Sequence, residues 1–456
     1  MGLSGRRAAL GSAVLDRFQH PAQVIVGGFG LAVLVGAGLL ALPVATESGE
    51  SAGPLTALFT ATSAVCVTGL VVVDTGEHWS VFGEVVILLL IQAGGLGIMT
   101  LATLFAVLVS GKLGLRARLL AQAETKTLHG AGMRRVVRNV VLFSLVSEVI
   151  VAVVLSLRFA FGYGEPVGRA VYMGVFHAVS AFNNAGFGLW PDSLSRFVAD
   201  PWVCLPVAAA VIVGGLGFPV VFELARSWRR PRRWSVLTRI TLGTTAALLL
   251  VGTVVLASAE RDNPHTLGPL SDSAKLLAGF FAAVMARTAG FNSIDISQMR
   301  PESWLFTDIL MFIGGGSAGT AGGIKVTTFG LLAFVMWAEL RGEDRVNVGH
   351  RRLAGPVQRQ ALTIALMGVG LVAVCTLVLL SMVPHSLDRV LFEVVSAFGT
   401  VGLSTGITGQ LPDAGQVVIA LLMFIGRIGP LTLFSALALR ERTRRYELPE
   451  ERPIVG

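Results

Sequence analysis

Apolar segments of membrane-spanning length alternate with hydrophilic segments along most of this chain. Most of the apolar segments reach the roughly 20 helical residues that a hydrocarbon core of ~30 Å requires. The first is too long for a removable signal peptide and lacks the small-residue cleavage site. The pattern therefore predicts a multi-pass helical membrane protein. We place the apolar segments at residues 23–44, 83–110, 140–157, 202–222, 240–258, 303–314, 324–338, 360–383 and 415–439.

A short motif whose next-to-last residue is glycine recurs four times between these segments. A second glycine motif follows each copy in the next apolar segment, again at a nearly constant distance: AGGLG, VGGLG, IGGGS and IGRIG. Because the two glycine motifs recur together at a nearly constant spacing, they indicate four copies of the same unit. The first motif occurs as SAVCVTGL (ending at Leu70), SAFNNAGF (Phe187), VMARTAGF (Phe291) and SAFGTVGL (Leu403).

Basic residues are concentrated in every second hydrophilic segment. This alternation is typical of the positive-inside rule and predicts that these segments, with both termini, lie in the cytoplasm. The protein is thus expected in the inner (cytoplasmic) membrane, with an even number of crossings. The net charge of +8 is better explained by this topology and by contact with anionic membrane lipids than by nucleic-acid binding. Most of the 36 Lys and Arg fall in residues 1–20, 111–138, 226–239, 339–359 and 440–456.

Each unit is predicted to hold a re-entrant loop between two spanning helices. A stretch such as Pro54–Val65 is too short to cross the membrane, so we expect a half-helix that returns as an extended loop. Irregular backbone at membrane depth must be buried in protein or line a water-filled cavity. The predicted fold is an all-α integral membrane protein, with four fused helix–re-entrant pore loop–helix units (eight spanning helices) around one pseudo-fourfold pore. The units are residues 21–110, 139–225, 239–338 and 360–440, between a cytoplasmic N-terminus (1–20) and C-terminus (441–456).

The composition argues against an enzyme and against a resident cofactor. Only 14% of the residues are charged and 53% are hydrophobic, whereas soluble domains average about 25% charged residues. The three cysteines lie in apolar contexts without disulfide or metal spacing. His, Asp and Glu form no cluster with catalytic spacing.

The four glycine motifs are candidates for an ion-selectivity filter. Potassium channels use four loops whose backbone carbonyls replace the hydration shell of the ion. Half-helices that enter from outside would point their negative C-terminal ends at a central cation. Close helix packing through small residues is the alternative, and four motifs in register make it the weaker one. The candidate filter residues are Val67, Thr68, Gly69, Asn184, Ala185, Gly186, Thr288, Ala289, Gly290, Thr400, Val401 and Gly402.

The motifs, the order of helices and the segment GGGSAGTAGGIK resemble the Trk/Ktr/HKT superfamily of potassium transporters over residues 21–440. A single spanning helix before the first motif is similar to the KtrB branch. The resemblance implies potassium uptake, often sodium-activated, by a homodimer on a cytosolic KtrA-like ring that binds ATP or ADP. Members with Ser at the first filter glycine admit sodium, so Gly69 favours potassium. Each loop has one filter glycine rather than a GYG pair, so we expect more modest selectivity than in a potassium channel.

The third unit contains a glycine-rich segment that should not be helical, because each Gly costs roughly 0.5–1 kcal/mol in a helix interior. A nucleotide-binding loop is excluded, since that motif needs Gly immediately before Lys and Ile324 stands before Lys325. In the family this segment is a mobile loop under the filter, which implies a gate; a simple hinge or packing break is the alternative. The candidate gate residues are Gly314, Gly315, Gly316, Ser317, Ala318, Gly319, Thr320, Ala321, Gly322, Gly323, Lys325 and Arg427.

Arg427 takes the place at which the other three units have glycine. An ionisable residue inside a membrane segment is a functional candidate by default. Because a fixed positive charge would repel a permeating cation, we expect Arg427 to donate hydrogen bonds to carbonyls of the 314–323 segment. An arginine that extends to the cytoplasm is the alternative, and for Lys325 an interfacial position is equally compatible with the sequence.

Two mechanisms of potassium uptake remain open at this point. The first is a gated, channel-like subunit without a nucleotide-binding domain of its own. The second is an alternating-access cation symporter, which would show inverted or paired repeats and charged sites at the midplane. Four units in one orientation, each with a re-entrant loop, favour the first.

Overall fold

The computed structural model describes residues 21–112, 130–343, 345–348, 351–429 and 432. The predicted terminal segments 1–20 and 441–456 lie outside the described residues, as does most of the basic segment 111–138.

Helices dominate the described residues, as the apolar pattern predicts. A two-residue antiparallel ladder between β1 (Asn347–Val348) and β2 (Arg351–Arg352) is a small departure from the all-α expectation. In chain order the helices are α1 (Pro21–Leu40), α2 (Pro54–Cys66), α3 (Thr75–His78), α4 (Val81–Lys112), α5 (Gly130–Leu157), α6 (Val167–Phe182), α7 (Pro201–Leu216), α8 (Phe218–Ser227), α9 (Val236–Ala259), α10 (Asp272–Met285), α11 (Pro301–Phe312), α12 (Val326–Leu340), α13 (Gly355–Leu380), α14 (Leu387–Gly399) and α15 (Asp413–Ile428).

Four short helices, α2, α6, α10 and α14, form the centre of the molecule. The helix α2 has 13 residues and begins with Pro54, whose missing N–H is harmless in the first turn. Ser271 caps α10 by accepting a hydrogen bond from the N–H of Ala274. The C-terminal halves of α2 and α14 are buried on all sides. Each of the four ends within one of the four glycine motifs.

The longer helices surround the short ones. The helix α2 packs on α1 and α4, α6 on α5 and α7, α10 on α9 and α7, and α14 on α11, α13 and α15. In addition, α15 packs on α2, so the last section of the chain meets the first. Leu and Val side chains on the outer faces of α5, α9 and α13 are exposed, as expected for faces that contact lipid.

Three described helical segments are long and apolar enough to cross a membrane: Val137–Gly162, Val236–Ala259 and Gly355–Leu380. A fourth candidate is the pair of α7 and α8, which is bent by 100°. Shorter apolar helices add to these at Ile25–Leu40, Pro54–Cys66, Val81–Gly97 and Val326–Leu340. The chain is thus a helical membrane protein.

The apolar segment 202–222 does not form one continuous helix. The helix stops at Leu216 and restarts at Phe218 after the 100° bend. Gly217 at the bend has φ +89°, and a Cβ there would lie 2.3 Å from the carbonyl oxygen of Ser317. Close contact with the glycine-rich segment of the third predicted unit therefore accounts for the bend, and residues 202–222 alone give no sign of that contact.

Candidate functional site

The four candidate filter segments share one backbone conformation. In each, a residue with positive φ precedes the glycine by two positions, and the glycine itself also has positive φ. Glycine reaches this region at little cost, whereas other residues are strained in it. The φ values are 55° and 90° at Val67 and Gly69, 60° and 72° at Asn184 and Gly186, 72° and 72° at Thr288 and Gly290, and 49° and 95° at Thr400 and Gly402.

Serine side chains stabilise two of these turns. The hydroxyl of Ser63 accepts a hydrogen bond from the N–H of Gly69 at 3.1 Å, and Ser396 does the same for Gly402 at 3.1 Å. Each serine is the first residue of its eight-residue motif, so the motif encodes its own turn.

The four glycines form a closed ring. A Cβ on any one of them would collide with a carbonyl oxygen of the next segment, and the last collides with the first. The distance from such a Cβ to the oxygen would be 2.3 Å for Gly69 and Ala185 O, 2.8 Å for Gly186 and Ala289 O, 2.4 Å for Gly290 and Val401 O, and 2.2 Å for Gly402 and Thr68 O. We call this arrangement the glycine ring.

A cavity of about 320 Å³ lies on one side of the glycine ring. It is lined by the four glycines and by residues that follow them in the chain, among them Ser404. Two carboxylates, Asp74 and Asp295, also line it, and both cap short helices by accepting backbone N–H groups. Negative charge in this cavity would raise the local concentration of cations.

The glycine-rich loop (Gly314–Gly323) lies on the other side of the ring and is not helical, as predicted. A Cβ at Gly322 would lie 2.0 Å from the Thr400 hydroxyl, and the Thr320 hydroxyl donates to Asn184 Oδ1 at 2.9 Å. Both partners are the first residues of candidate filter segments. The loop is therefore in direct contact with the filter segments.

The end of α7, at the bend before α8, binds the backbone of the glycine-rich loop. The N–H of Gly316 donates to the carbonyl of Gly215 at 2.7 Å, and the N–H of Thr320 donates to that of Gly214 at 3.2 Å. Since Gly217 ends α7, these carbonyls lack partners in the helix and are free to bind the loop.

Arg427 is buried and bridges two parts of the site. One guanidinium nitrogen donates to the carbonyl of Thr320 in the glycine-rich loop, as the sequence predicts, and Nη2 donates to the carbonyl of Gly94 at 3.0 Å. The side chain is only 3% exposed, so it does not extend to the cytoplasm.

The two other cations near the loop have different partners. Lys325 is half-buried, and its ammonium group donates to the carbonyl of Ala321 at 2.6 Å. Arg287, which directly precedes the third filter segment, donates to the carbonyl of Gly314 at 3.3 Å. Both side chains thus hold backbone of the same loop.

Two buried glutamates that the sequence motifs do not identify contact residues next to the candidate filter segments. Glu393 accepts hydrogen bonds from the N–H of Thr405 at 2.9 Å and from the hydroxyls of Ser404 and Thr408. Glu148 on α5 accepts from the amide of Asn183, beside the second filter segment, at 3.2 Å. The sequence signal that could have identified these two glutamates is an acidic residue in an otherwise apolar segment.

The site offers oxygen atoms to a cation. The hydroxyls of Thr68 and Thr400 are buried and have no hydrogen-bond partner within the described part of the chain. Carbonyl and hydroxyl oxygens suit alkali cations, whereas no group of three His, Cys, Asp or Glu that could hold a metal occurs among the residues described.

Residues 17–442 match the family model described as "TrkH: Cation transport protein". The chain belongs to this family. It is 43% identical over 427 residues to the Ktr system potassium uptake protein B of Bacillus subtilis, covering 93% of this chain and 95% of that protein. It is 38% identical over 442 residues to the potassium/sodium uptake protein NtpJ of Enterococcus hirae, covering 96% and 97%.

A solved structure has the same fold. The potassium transporter TrkH of Vibrio parahaemolyticus superimposes with a TM-score of 0.70, at 19% sequence identity, over 91% of this chain and 85% of that one. The family and the relatives named for potassium uptake make the chain a membrane transport protein and not an enzyme.

Proposed function

We propose that the protein takes up potassium ions through a gated, channel-like pore that passes through the glycine ring. The closed ring is the observation that supports this most strongly, because it brings four carbonyl-bearing turns to one axis. The relatives named for potassium uptake give the same substrate. The carbonyls of the twelve candidate filter residues would replace water around the ion.

In this proposal the chain consists of four fused pore units, residues 21–110, 139–225, 239–338 and 360–440. Each contributes two spanning helices, eight in all, around a pseudo-fourfold axis. The contact of α15 with α2 supports closure of the fourth unit on the first. The helices α2, α6, α10 and α14 would act as pore helices, with their negative C-terminal ends at the ion.

The proposed gate is the glycine-rich loop with Lys325 and Arg427. Its contacts with Asn184 and Thr400 support this proposal, because a loop at the inner end of the filter would obstruct the pore. The bond from Arg427 to Thr320 would hold the loop in that position. Opening then requires the loop and the guanidinium to move together.

The remaining parts of the proposal follow from the relatives. The chain would be the membrane subunit of a two-component system, a homodimer on a cytosolic KtrA-like ring that binds ATP or ADP, with both termini in the cytoplasm. The relative named as a Ktr system protein supports a further subunit, and the name of NtpJ, for potassium and sodium, is consistent with a role for Na⁺.

Two glycines in and just after the fourth candidate filter segment provide a test of the proposed pathway. Gly402 and Gly406 have φ +95° and +89°, but a Cβ at Gly402 would lie 2.2 Å from Thr68 O, whereas one at Gly406 meets nothing within 4 Å. In a host that lacks potassium uptake, Gly402→Ala should abolish rubidium uptake and Gly406→Ala should retain most of it. Equal uptake by both variants, at equal membrane abundance, would exclude the ring as the pathway.

A further inference from the structure

The hairpin between α8 and α9 carries a dense group of positive charges at a membrane boundary. Five arginines fall within eight residues: Arg226, Arg229, Arg230, Arg232 and Arg233. The helix α9, which begins at Val236, is long and apolar enough to span the membrane. Its first turn must therefore lie near a membrane surface, and so must the arginines just before it.

Side-chain hydrogen bonds hold the hairpin in a defined conformation. The carboxylate of Glu223 accepts hydrogen bonds from the N–H and the hydroxyl of Ser235, both at 2.7 Å, and from the hydroxyl of Thr238. The guanidinium of Arg239 donates to the carbonyl of Arg232 at 2.8 Å. These bonds fix α8 and the start of α9 relative to each other.

Four of the arginines, Arg226, Arg229, Arg230 and Arg233, surround a cavity of about 880 Å³. The single carboxylate in its lining is that of Glu223, which is already engaged by Ser235 and Thr238. Among the residues that the structure describes, no carboxylate lies within 4.0 Å of any of the five guanidinium groups. The lining thus sets four guanidinium groups against one carboxylate, which leaves a net positive charge.

The remaining wall of the cavity is apolar. Trp228 is 64% exposed, and the guanidinium carbon of Arg229 lies 4.8 Å from the centre of its ring. Phe222 lies deeper and packs on Phe218, with ring centres 5.7 Å apart. Exposed tryptophan is typical of the membrane–water interface, where one side of the ring meets hydrocarbon and the other meets polar groups.

We propose that this cavity binds the headgroup of an anionic phospholipid from the leaflet that surrounds it. Two or more guanidinium groups would bind the phosphodiester through paired, charge-assisted hydrogen bonds. Trp228 and Phe222 would contact the glycerol and the upper acyl chains. A soluble anion explains the arginines but not the exposed indole, and the position beside the first turn of a spanning helix favours a lipid over an acidic partner protein.

Quenching of tryptophan fluorescence tests the assignment with the full chain in vesicles. Brominated phosphatidylglycerol should quench wild-type protein more than the Trp228→Phe variant, and brominated phosphatidylcholine should show little of this difference. The double variant Arg230→Gln/Arg233→Gln should need roughly 30-fold more phosphatidylglycerol for half-maximal quenching, as each surface arginine contributes to binding.

A second arginine–tryptophan pair is the matched control. Arg341 lies over the ring of Trp337 at 4.7 Å, outside this cavity. Arg341→Gln should leave the quenching curve of Trp228 unchanged. Equal quenching by both brominated lipids, or an equal loss in Arg341→Gln, would overturn the proposal.

Two competition experiments distinguish the source of the anion. Millimolar inorganic phosphate should not displace brominated phosphatidylglycerol from Trp228; displacement would assign the cavity to a soluble anion. Cytosolic extract added to the vesicles should likewise leave quenching intact. Loss of quenching with extract in low salt, reversed by high salt, would assign the cavity to an acidic protein and exclude the lipid.

Discussion

Arg427 and Thr320, which are 107 residues apart in the sequence, are joined by a buried hydrogen bond from the guanidinium group to the backbone carbonyl. A second bond joins Arg427 to the carbonyl of Gly94. The arginine therefore links the glycine-rich loop to α4 and neutralises part of its own charge through carbonyl dipoles.

The first prediction is that Arg427→Ala conducts potassium without a cytosolic partner. A unit charge about 4 Å from a permeating cation costs about 4 kcal/mol at an effective dielectric constant of about 20. That is nearly a thousandfold in rate. Rubidium flux into proteoliposomes that contain only this chain should rise in the variant.

Deletion of Ser317–Ala321 should have the same effect, and the two changes together should add little, since both remove one barrier. Arg359→Ala, an exposed arginine near the start of α13, serves as the control for loss of charge alone. Partner-free flux that stays at the wild-type level in Arg427→Ala would remove this residue from the gate.

The second prediction concerns Gly69. In Gly69→Ser the added side chain would lie 2.3 Å from Ala185 O, at a backbone φ of +90°. The carbonyl must move, so the spacing of oxygens around the ion changes. Sodium should then compete better with rubidium for uptake, or total flux should fall. Gly49→Ser, with φ +73° and no atom within 4 Å, is the matched control. An unchanged preference for potassium over sodium together with unchanged flux would argue against the filter assignment.

The third prediction concerns the bend at Gly217. In Gly217→Ala the new Cβ would lie 2.3 Å from Ser317 O and would occupy a backbone region that costs of order 1–3 kcal/mol for other residues. We expect a lower unfolding temperature in detergent and a higher partner-free flux, because the loop loses its contacts with the end of α7. Gly243→Ala in α9, where a Cβ meets nothing within 4 Å, should neither lower the unfolding temperature nor raise the flux, since Ala is the better helix former. If Gly217→Ala is destabilised without any rise in flux, the bend does not contribute to closing the gate.

The sequence predicts those parts of the site that repeat within the chain. Four motifs in register identify the short helices and the glycines, and one arginine in place of a glycine identifies Arg427. The bend at Gly217 and the role of Glu393 could not be predicted in this way. Each depends on contacts with residues outside the four eight-residue motifs: Ser317 for the bend, and Thr405 and Thr408 for the glutamate.

The fourth prediction is that Glu393→Gln destabilises the fourth filter segment. The carboxylate accepts from one N–H and several hydroxyls, and an amide would present N–H groups to some of these donors. Hydrogen bonds to a charged group contribute about 1.5–3 kcal/mol each. Thermal unfolding in detergent should shift downward, and potassium should protect the variant less than the wild type. Glu339→Gln, at an exposed position in α12, is the control and should unfold as the wild type does.

The last prediction tests whether the loop and the filter are coupled through side chains. Thr320→Val keeps the shape of the side chain and the carbonyl that Arg427 binds, but it removes the 2.9 Å hydrogen bond to Asn184 Oδ1. Asn184→Ala removes the same bond from the other side. If this bond holds the loop against the filter, each variant should raise partner-free rubidium flux, and the double variant should exceed the larger single effect only slightly. The expected coupling is about 1 kcal/mol, the usual contribution of one hydrogen bond. Effects that simply add would show that Thr320 acts on the pore through its carbonyl and Arg427 alone.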